Sequence, residues 1–323
     1  MNKPKVIVTR KWPAEVEAQL KEHYDVQLNE SDIPMTADEL KLALQTADAL
    51  LPTVTDILNA DILGVENKRA KIIGNFGVGY NNIDITTAKA QGLVVTNTPH
   101  VLTDCTADIA MLLLLMSARR APEGERLIRN QQWTGWTPTQ LIGQKVTGKT
   151  LGLIGFGRIA QAMAKKAHHG FGMKILCYAP SQPDPAIMND LQATRCATVE
   201  ELLSEANFVS LHCPGGAATK HLINEQRLKL MRPTAHLINT ARGDVVDSKA
   251  LIKALKEGWI AGAGLDVYEG EPTIDPELLK LNNVALLPHL GSASEETRIA
   301  MGNRVLANIA AFFAGNQPED KVV

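Results

Sequence analysis

Little in this chain points to a metal, a membrane or a nucleic acid. Its four cysteines, Cys105, Cys177, Cys196 and Cys213, stand far apart, with no Cys-x-x-Cys pair and no histidine at ligand spacing. Neither a disulfide framework nor a zinc site is expected from that pattern. Charge of one sign is lacking too: 33 basic and 35 acidic side chains are scattered along the chain for a net charge of -2. That leaves no basic footprint for nucleic acid or anionic lipid. The longest apolar run, residues 111–116, falls far short of the roughly 20 residues that cross a bilayer. Residues 1–10 become a strand almost at once and lack the apolar core of a signal peptide. These absences predict a cytoplasmic protein, without metal, whose partners are small molecules and a second copy of itself. What is present is a 45% hydrophobic chain of 323 residues, enough for about two ordered domains with separate cores.

Short β-branched or apolar runs alternate with amphipathic stretches from Lys5 onward: Val6-Ile7-Val8, residues 14–22, Val26-Gln27-Leu28, 37–46, Ala49-Leu50-Leu51, 57–65, Ile72-Ile73-Gly74, 83–90 and Leu93-Val94-Val95. A second alternating series runs from Leu151 to Leu287. Strand and helix taking turns means α/β architecture with a parallel sheet covered on both faces, here twice over. Between the series, residues 104–130 read as one long helix, apolar on more than one side, suited to lie between domains or subunits. Residues 295–314 read as a last amphipathic helix, ending at Gly315, that packs back on the first domain. The expected division is a substrate domain of 1–100 plus 290–323 and a cofactor domain of 101–289. The crossings, around 98–104 and 289–294, would form a hinge with the active cleft between two doubly wound parallel-sheet domains.

The segment Leu151-Gly152-Leu153-Ile154-Gly155-Phe156-Gly157-Arg158-Ile159-Ala160 carries the first chemistry. It reads as a buried strand running into a glycine turn that opens a helix, the arrangement that holds a pyrophosphate on free backbone amides. Further on, three apolar runs stop at polar residues: Leu237-Ile238-Asn239-Thr240-Ala241-Arg242, Ala263-Gly264-Leu265-Asp266 and Leu287-Pro288-His289. Taken singly each has an ordinary explanation: Arg242 a surface cation, Asp266 a helix cap, His289 a satisfied core residue. Together, at strand ends downstream of the glycine turn, they suit a carbonyl that receives a hydride. An arginine clamps a carboxylate, and a histidine oriented by a carboxylate gives a proton.

These motifs, with Asn75-Phe76-Gly77-Val78-Gly79-Tyr80-Asn81-Asn82-Ile83-Asp84, Asn97-Thr98-Pro99 and Thr106-Ala107-Asp108, resemble the D-2-hydroxyacid dehydrogenase family over essentially the whole chain. Trp133-Thr134-Gly135-Trp136 and the run from Pro288 to Ala293 followed by Glu296-Thr297-Arg298 are most similar to its glyoxylate and hydroxypyruvate reductases. The resemblance implies a flavodoxin-like substrate domain, a Rossmann cofactor domain and a catalytic trio of Arg242, Glu271 and His289, with Glu271 rather than Glu269 as the partner of His289. It implies substrate contacts from Leu51, Val78, Gly79, Ser292, Arg242 and His289, with Trp136 reaching the partner subunit's cleft in a homodimer. Cofactor contacts are implied at Phe156, Gly157, Arg158 and Ile159, at Ala179, Pro180 and Ser181, and at Cys213 and Pro214. Thr240, Ala241, Arg242, Asp266, His289, Gly291 and Thr106 complete that set, Asp266 holding the nicotinamide amide.

A domain that prefers NAD ends its second strand in a carboxylate for the ribose hydroxyls. That position is Ala179, followed by Pro180-Ser181-Gln182, so nothing repels a 2′-phosphate. NADPH is therefore expected to be preferred and NADH possible, although the arginine common just after this strand in NADP-dependent relatives is also missing. The expected reaction is reduction of a small 2-keto acid to the 2-hydroxy acid. A bulkier substrate such as 2-ketogluconate, or a cofactor-sensing scaffold without turnover, are the alternatives.

Overall fold

The computed structural model describes residues 3–323, which divide into two compact units. Unit 1 comprises the chain up to Leu102 together with Ser292–Val323, and unit 2 comprises Thr103–Gly291.

Unit 1 runs β1 (Lys5–Val8), α1 (Ala14–His23), β2 (Asp25–Gln27), α2 (Ala37–Thr46), β3 (Ala49–Leu51), α3 (Ala60–Leu63), β4 (Ile72–Gly74), α4 (Ile85–Ala90) and β5 (Val94–Thr96). Its strands form one parallel sheet in the order β2-β1-β3-β4-β5, the flavodoxin-like doubly wound arrangement. Local chemistry sets the helix starts. Thr36 and Glu39 make a reciprocal capping box at α2, with Thr36 N–H donating to Glu39 Oε2 at 2.7 Å. The stretch 57–65, expected as a helix, yields only α3. Leu58 is held extended in a parallel bridge with Ile83, its amide donating to Asn82 O at 2.8 Å and its carbonyl accepting from Asp84 N–H at 2.9 Å, so the helix starts only after Asn59, whose side chain caps it.

Unit 2 holds α5 (Thr103–Ala118), α6 (Ala121–Arg129), β6 (Thr150–Ile154), α7 (Arg158–Lys165), β7 (Lys174–Tyr178), α8 (Pro185–Asp190), β8 (Thr194–Arg195) and α9 (Val199–Glu205). It continues with β9 (Phe208–Leu211), α10 (Glu225–Leu230), β10 (His236–Asn239), α11 (Ser248–Glu257), β11 (Gly262–Leu265), α12 (Pro276–Leu279) and β12 (Val284–Leu286). The seven strands are parallel in the order β12-β11-β10-β9-β6-β7-β8. The winding reverses between β6 and β9, the switch point of a Rossmann sheet, where its ligands bind beyond the strand ends. Successive strand residues feed opposite cores: Leu237 and Val209 lie on one face, Ile238 and Phe208 on the other. Burial on both faces is why these strands read as continuous apolar runs.

The single long helix expected over 104–130 is two helices. Pro122 has no N–H to offer the Ala118 carbonyl, and its ring crowds that turn. The chain breaks at Arg120, which adopts φ 51°, and the freed Ala118 carbonyl accepts from Gln144 N–H at 2.8 Å instead. The first half, α5, lies on the sheet, with Leu113 against Gly264 of β11.

The chain then returns to unit 1 in α13 (Glu295–Phe313). Gly302 meets Val16 of α1, and Val305 and Ile309 sit over Gly74 of β4. The last residues cover the edge of β5, Val322 N–H donating to Val95 O at 2.7 Å and Val95 N–H to Val323 O at 3.1 Å. Among the described residues no helix is long and apolar enough to cross a membrane.

Candidate active site

The glycine turn leaves the end of β6 at the switch point. Gly155 has φ 85°, and a Cβ there would stand 2.7 Å from Cys213 N and His212 C at the end of β9. Only glycine fits so tight a passage. Gly157 faces open space and begins α7 with no side-chain cap, so the amides of that helix's first turn, at Arg158 and Ile159, are unclaimed by any side chain. This is an anion cradle at a helix N-terminus, and it fits a pyrophosphate. Ala160 is fully buried against the sheet. One strand further on, Thr240 Oγ1 at the end of β10 is buried without a hydrogen-bond partner, a donor awaiting an acceptor. Cys213 is buried enough for its thiol to be pushed up to about 11, which leaves it neutral beside the turn.

Beyond β7, Ala179 is buried while Pro180, Ser181 and Gln182 are exposed. A residue the sequence reading passes over stands here. Arg195 of β8 donates from Nη2 to Ala179 O at 3.0 Å and from Nη1 to Gln182 Oε1 at 2.7 Å.

The other half of the sheet gathers the acid–base groups. Asn239, the last residue of β10, folds the chain back on itself: its Nδ2 donates to Arg242 O at 2.8 Å, and its Oδ1 accepts from Ala241 N–H at 3.0 Å. This turn carries Arg242, whose Nη1 donates to Ala241 O at 2.7 Å. Gly243 then presses against the segment after β11, where a Cβ would come within 1.9 Å of the Tyr268 carbonyl carbon. No side chain is tolerated at that contact. Tyr268 ties the same segment to β12 by donating its hydroxyl to Leu287 O at 2.8 Å.

His289 adopts φ 55°, a conformation unusual for histidine, and the surroundings impose it. Asp266, 1% exposed, is the anchor. Its backbone O accepts from His289 N–H at 2.9 Å, its Oδ1 from Leu290 N–H at 2.6 Å and its Oδ2 from Gly291 N–H at 2.8 Å. Thr106 Oγ1 closes the loop by donating to Gly291 O at 2.9 Å. Burial pushes the Asp266 carboxyl above its usual range, opposed by those amides and by His289. With both oxygens engaged, Asp266 first of all shapes the histidine turn.

Glu271 Oε2 lies 2.8 Å from His289 Nδ1, and its Oε1 accepts from Tyr268 N–H at 2.7 Å. Burial works to raise the Glu271 carboxyl, but His289, the Tyr268 amide and the Arg242 charge together outweigh it and hold it below the usual range. Burial likewise pushes the Arg242 guanidinium down, opposed by Glu271 and Asp244. Glu269, two residues before Glu271, goes elsewhere: its Oε1 lies 2.8 Å from Nε2 of His221, a residue the motifs do not single out. His221 lies in the irregular stretch between β9 and α10, where no strand end marks it.

On unit 1, the loop after β4 holds the Val78 and Gly79 amides free of partners among the described hydrogen bonds, while Asn97 Nδ2 fixes Val78 O at 2.8 Å and Asn75 Nδ2 fixes Gly79 O at 2.9 Å. Leu51 is fully buried beside Gly74 and belongs to the core. Ser292 is half-buried, its carbonyl accepting from Arg298 Nε at 3.0 Å. Trp136 is 79% exposed.

Known proteins resemble this chain over essentially its whole length. Residues 111–291 match the family described as D-isomer specific 2-hydroxyacid dehydrogenase, NAD binding domain. A protein of Thermococcus litoralis named glyoxylate reductase is 47% identical over 99% of this chain and 97% of its own length. One of Hyphomicrobium methylovorum named glycerate dehydrogenase is 39% identical over 98% of each chain. Among solved structures, the NADPH-dependent glyoxylate/hydroxypyruvate reductase of Sinorhizobium meliloti, in complex with NADP and malonate, superposes with a TM-score of 0.89. It is 34% identical, and the match covers 100% of this chain and 97% of that one. The chain belongs to the D-isomer-specific 2-hydroxyacid dehydrogenases and carries their NAD-binding domain.

Proposed function

We propose that this protein reduces small 2-keto acids, glyoxylate and hydroxypyruvate foremost, to glycolate and D-glycerate, with NADPH preferred over NADH. The observation that carries the reading is which nitrogen His289 gives to its carboxylate. Glu271 holds Nδ1, so Nε2, the ring nitrogen farthest from the backbone, is left to exchange a proton. The names of the Thermococcus, Hyphomicrobium and Sinorhizobium relatives support the substrate class.

In this reading the α7 amides at Gly157 to Ile159 and the Phe156 turn hold the pyrophosphate. Ala179 to Ser181 meet the adenosine ribose, and Cys213, Pro214, Thr240, Ala241, Asp266, Gly291 and Thr106 line the path to the nicotinamide. When bound, the reduced nicotinamide supplies the hydride. Arg242 pairs with the substrate carboxylate and polarises the ketone. As the carbonyl carbon gains its new C–H bond, the C=O π pair takes the proton from His289 Nε2 to become O–H. Glu271 stabilises the charged imidazole before the transfer, and solvent restores the proton afterwards. Ala179 places no negative charge against a 2′-phosphate, and Ser181 and Gln182 can donate to it. Exposed Ile128, Trp133, Trp136 and Ile142 support a homodimer, with Trp136 limiting substrate size in the partner's site.

Steady-state rates with glyoxylate, hydroxypyruvate, 2-ketogluconate and phenylpyruvate, each with both cofactors, test the proposal. It expects the two small acids with NADPH to give the highest kcat/KM. A clear preference for NADH or for a bulky acid overturns that part of it, and NADPH binding without turnover of any of the four favours the sensing scaffold.

A further inference from the structure

The end of β7 has neither a carboxylate nor an arginine of its own, yet a guanidinium stands there. Arg195 belongs to β8, a strand of two residues that pairs parallel to β7 with Arg195 opposite Cys177. From that register its side chain reaches past the end of the neighbouring strand, to Ala179 O at 3.0 Å and Gln182 Oε1 at 2.7 Å. These bonds tie it to both ends of the short loop 179–182. Both acceptors are neutral, and among the described residues no carboxylate lies within 4.0 Å to pair with it. Asp184, the acidic residue closest in sequence to the loop, is occupied in starting α8, where its Oδ1 accepts from Ala186 N–H at 2.8 Å. A full positive charge is thus held in place, uncompensated, at the position where the sequence offers only Ala179.

A guanidinium has five N–H donors. The two bonds to the loop fix its plane and leave donors for a further acceptor. Gln182 gives its oxygen to Arg195, so its NH2 is the group left to donate, beside the Ser181 hydroxyl. Arginine and amide donors held together at an exposed loop that also carries Ser181 suit a phosphate dianion, which accepts charge-assisted bonds from a planar fork.

We infer that Arg195 recognises the 2′-phosphate of NADPH, so that the charge selecting this cofactor reaches the end of β7 from the adjacent strand. This deepens the cofactor reading above and rests on its placement of the adenosine ribose at Ala179. A peg that merely holds loop 179–182 in shape would serve phosphorylated and unphosphorylated cofactors alike, and that difference provides the test.

Calorimetric Kd values for 2′,5′-ADP and for 5′-AMP, which lacks the 2′-phosphate, are measured on the intact protein and on Arg195→Ala and Arg195→Lys. NADPH and NADH are titrated alongside. The inference expects Arg195→Ala to weaken 2′,5′-ADP and NADPH about 10- to 100-fold, with 5′-AMP and NADH within about 3-fold and Arg195→Lys in between. Equal losses for both members of each pair, no loss, or an unsubstituted protein that binds 2′,5′-ADP no tighter than 5′-AMP overturns it. NADH preference in the unsubstituted protein would overturn the cofactor reading by itself. The assignment of Arg195 would still stand or fall on the 2′,5′-ADP comparison.

Discussion

The rim of the unit 2 sheet and its interior both hold histidines, and they are chemically different residues. His236, 4% exposed in β10, stacks on Phe208 at 5.4 Å and shares Nδ1 with Ser117 Oγ at 2.7 Å, while its Nε2 is buried without a partner. Burial pushes it down to about 4. His212, at the end of β9, has its Nε2 beside the Ser210 hydroxyl and the Met163 sulfur and is also pushed down to about 4 by burial. Neither has a carboxylate, so both remain neutral packing residues. At the rim, His289 and His221 each have a glutamate at 2.8 Å and roughly a third of the side chain exposed. Both also adopt left-handed backbone, φ 55° and 50°. What separates these two is the nitrogen used. His289 gives Nδ1 to Glu271 and leaves Nε2, whereas His221 gives Nε2 to Glu269 and leaves only the nitrogen nearer its own backbone. Of these four, His289 combines a carboxylate on Nδ1 with an Nε2 that makes no described hydrogen bond, which is what the proposed proton transfer requires.

Substitutions can break that contrast. Arg242→Ala removes the charge at the rim that is proposed to bind the substrate carboxylate and should lower kcat/KM for glyoxylate about 1000-fold, about 4 kcal/mol of transition-state stabilisation, with KM raised and kcat lowered together. Glu271→Gln keeps the shape but not the charge and should lower kcat about 10- to 100-fold with little change in NADPH affinity. In the interior, a histidine held below its usual range stabilises the fold above about pH 6.5, and that contribution is lost as pH falls towards 4. Thermal unfolding from pH 7 to 4.5 should show the loss, and His236→Gln should remove about 2 kcal/mol of it. The smallest effect belongs to the rim pair that points the wrong way: His221→Gln should leave kcat within about 2-fold, since it removes no group needed in the transition state. A 10-fold fall there would erase the distinction between the two pairs.

Much of this is legible in the sequence because apolar strands announce where they stop. Arg242, Asp266 and His289 each follow such a run, and Gly155 and Gly157 mark the turn that feeds α7. The buried strands of both sheets are visible for the same reason. Features without that punctuation are harder to read. β8 has no apolar run, since Thr194–Arg195 is exposed on both residues, so neither the strand nor the reach of Arg195 to a neighbouring strand shows in the spacing. His221 sits in an irregular segment, and its pairing with Glu269 is a contact across 48 residues. The break at Arg120 has a visible cause in Pro122, but apolar spacing continues across it and outweighs the proline until the alternative partner of Ala118, the Gln144 amide, is seen.

His289 Nε2 is the proposed source of the proton. His289→Ala, assayed for glyoxylate reduction and titrated with NADPH in the same preparation, tests it most directly. Loss of a proton donor should lower kcat by about 100-fold or more while the NADPH Kd stays within about 3-fold. A variant that keeps kcat within about 3-fold of the unsubstituted protein would contradict it.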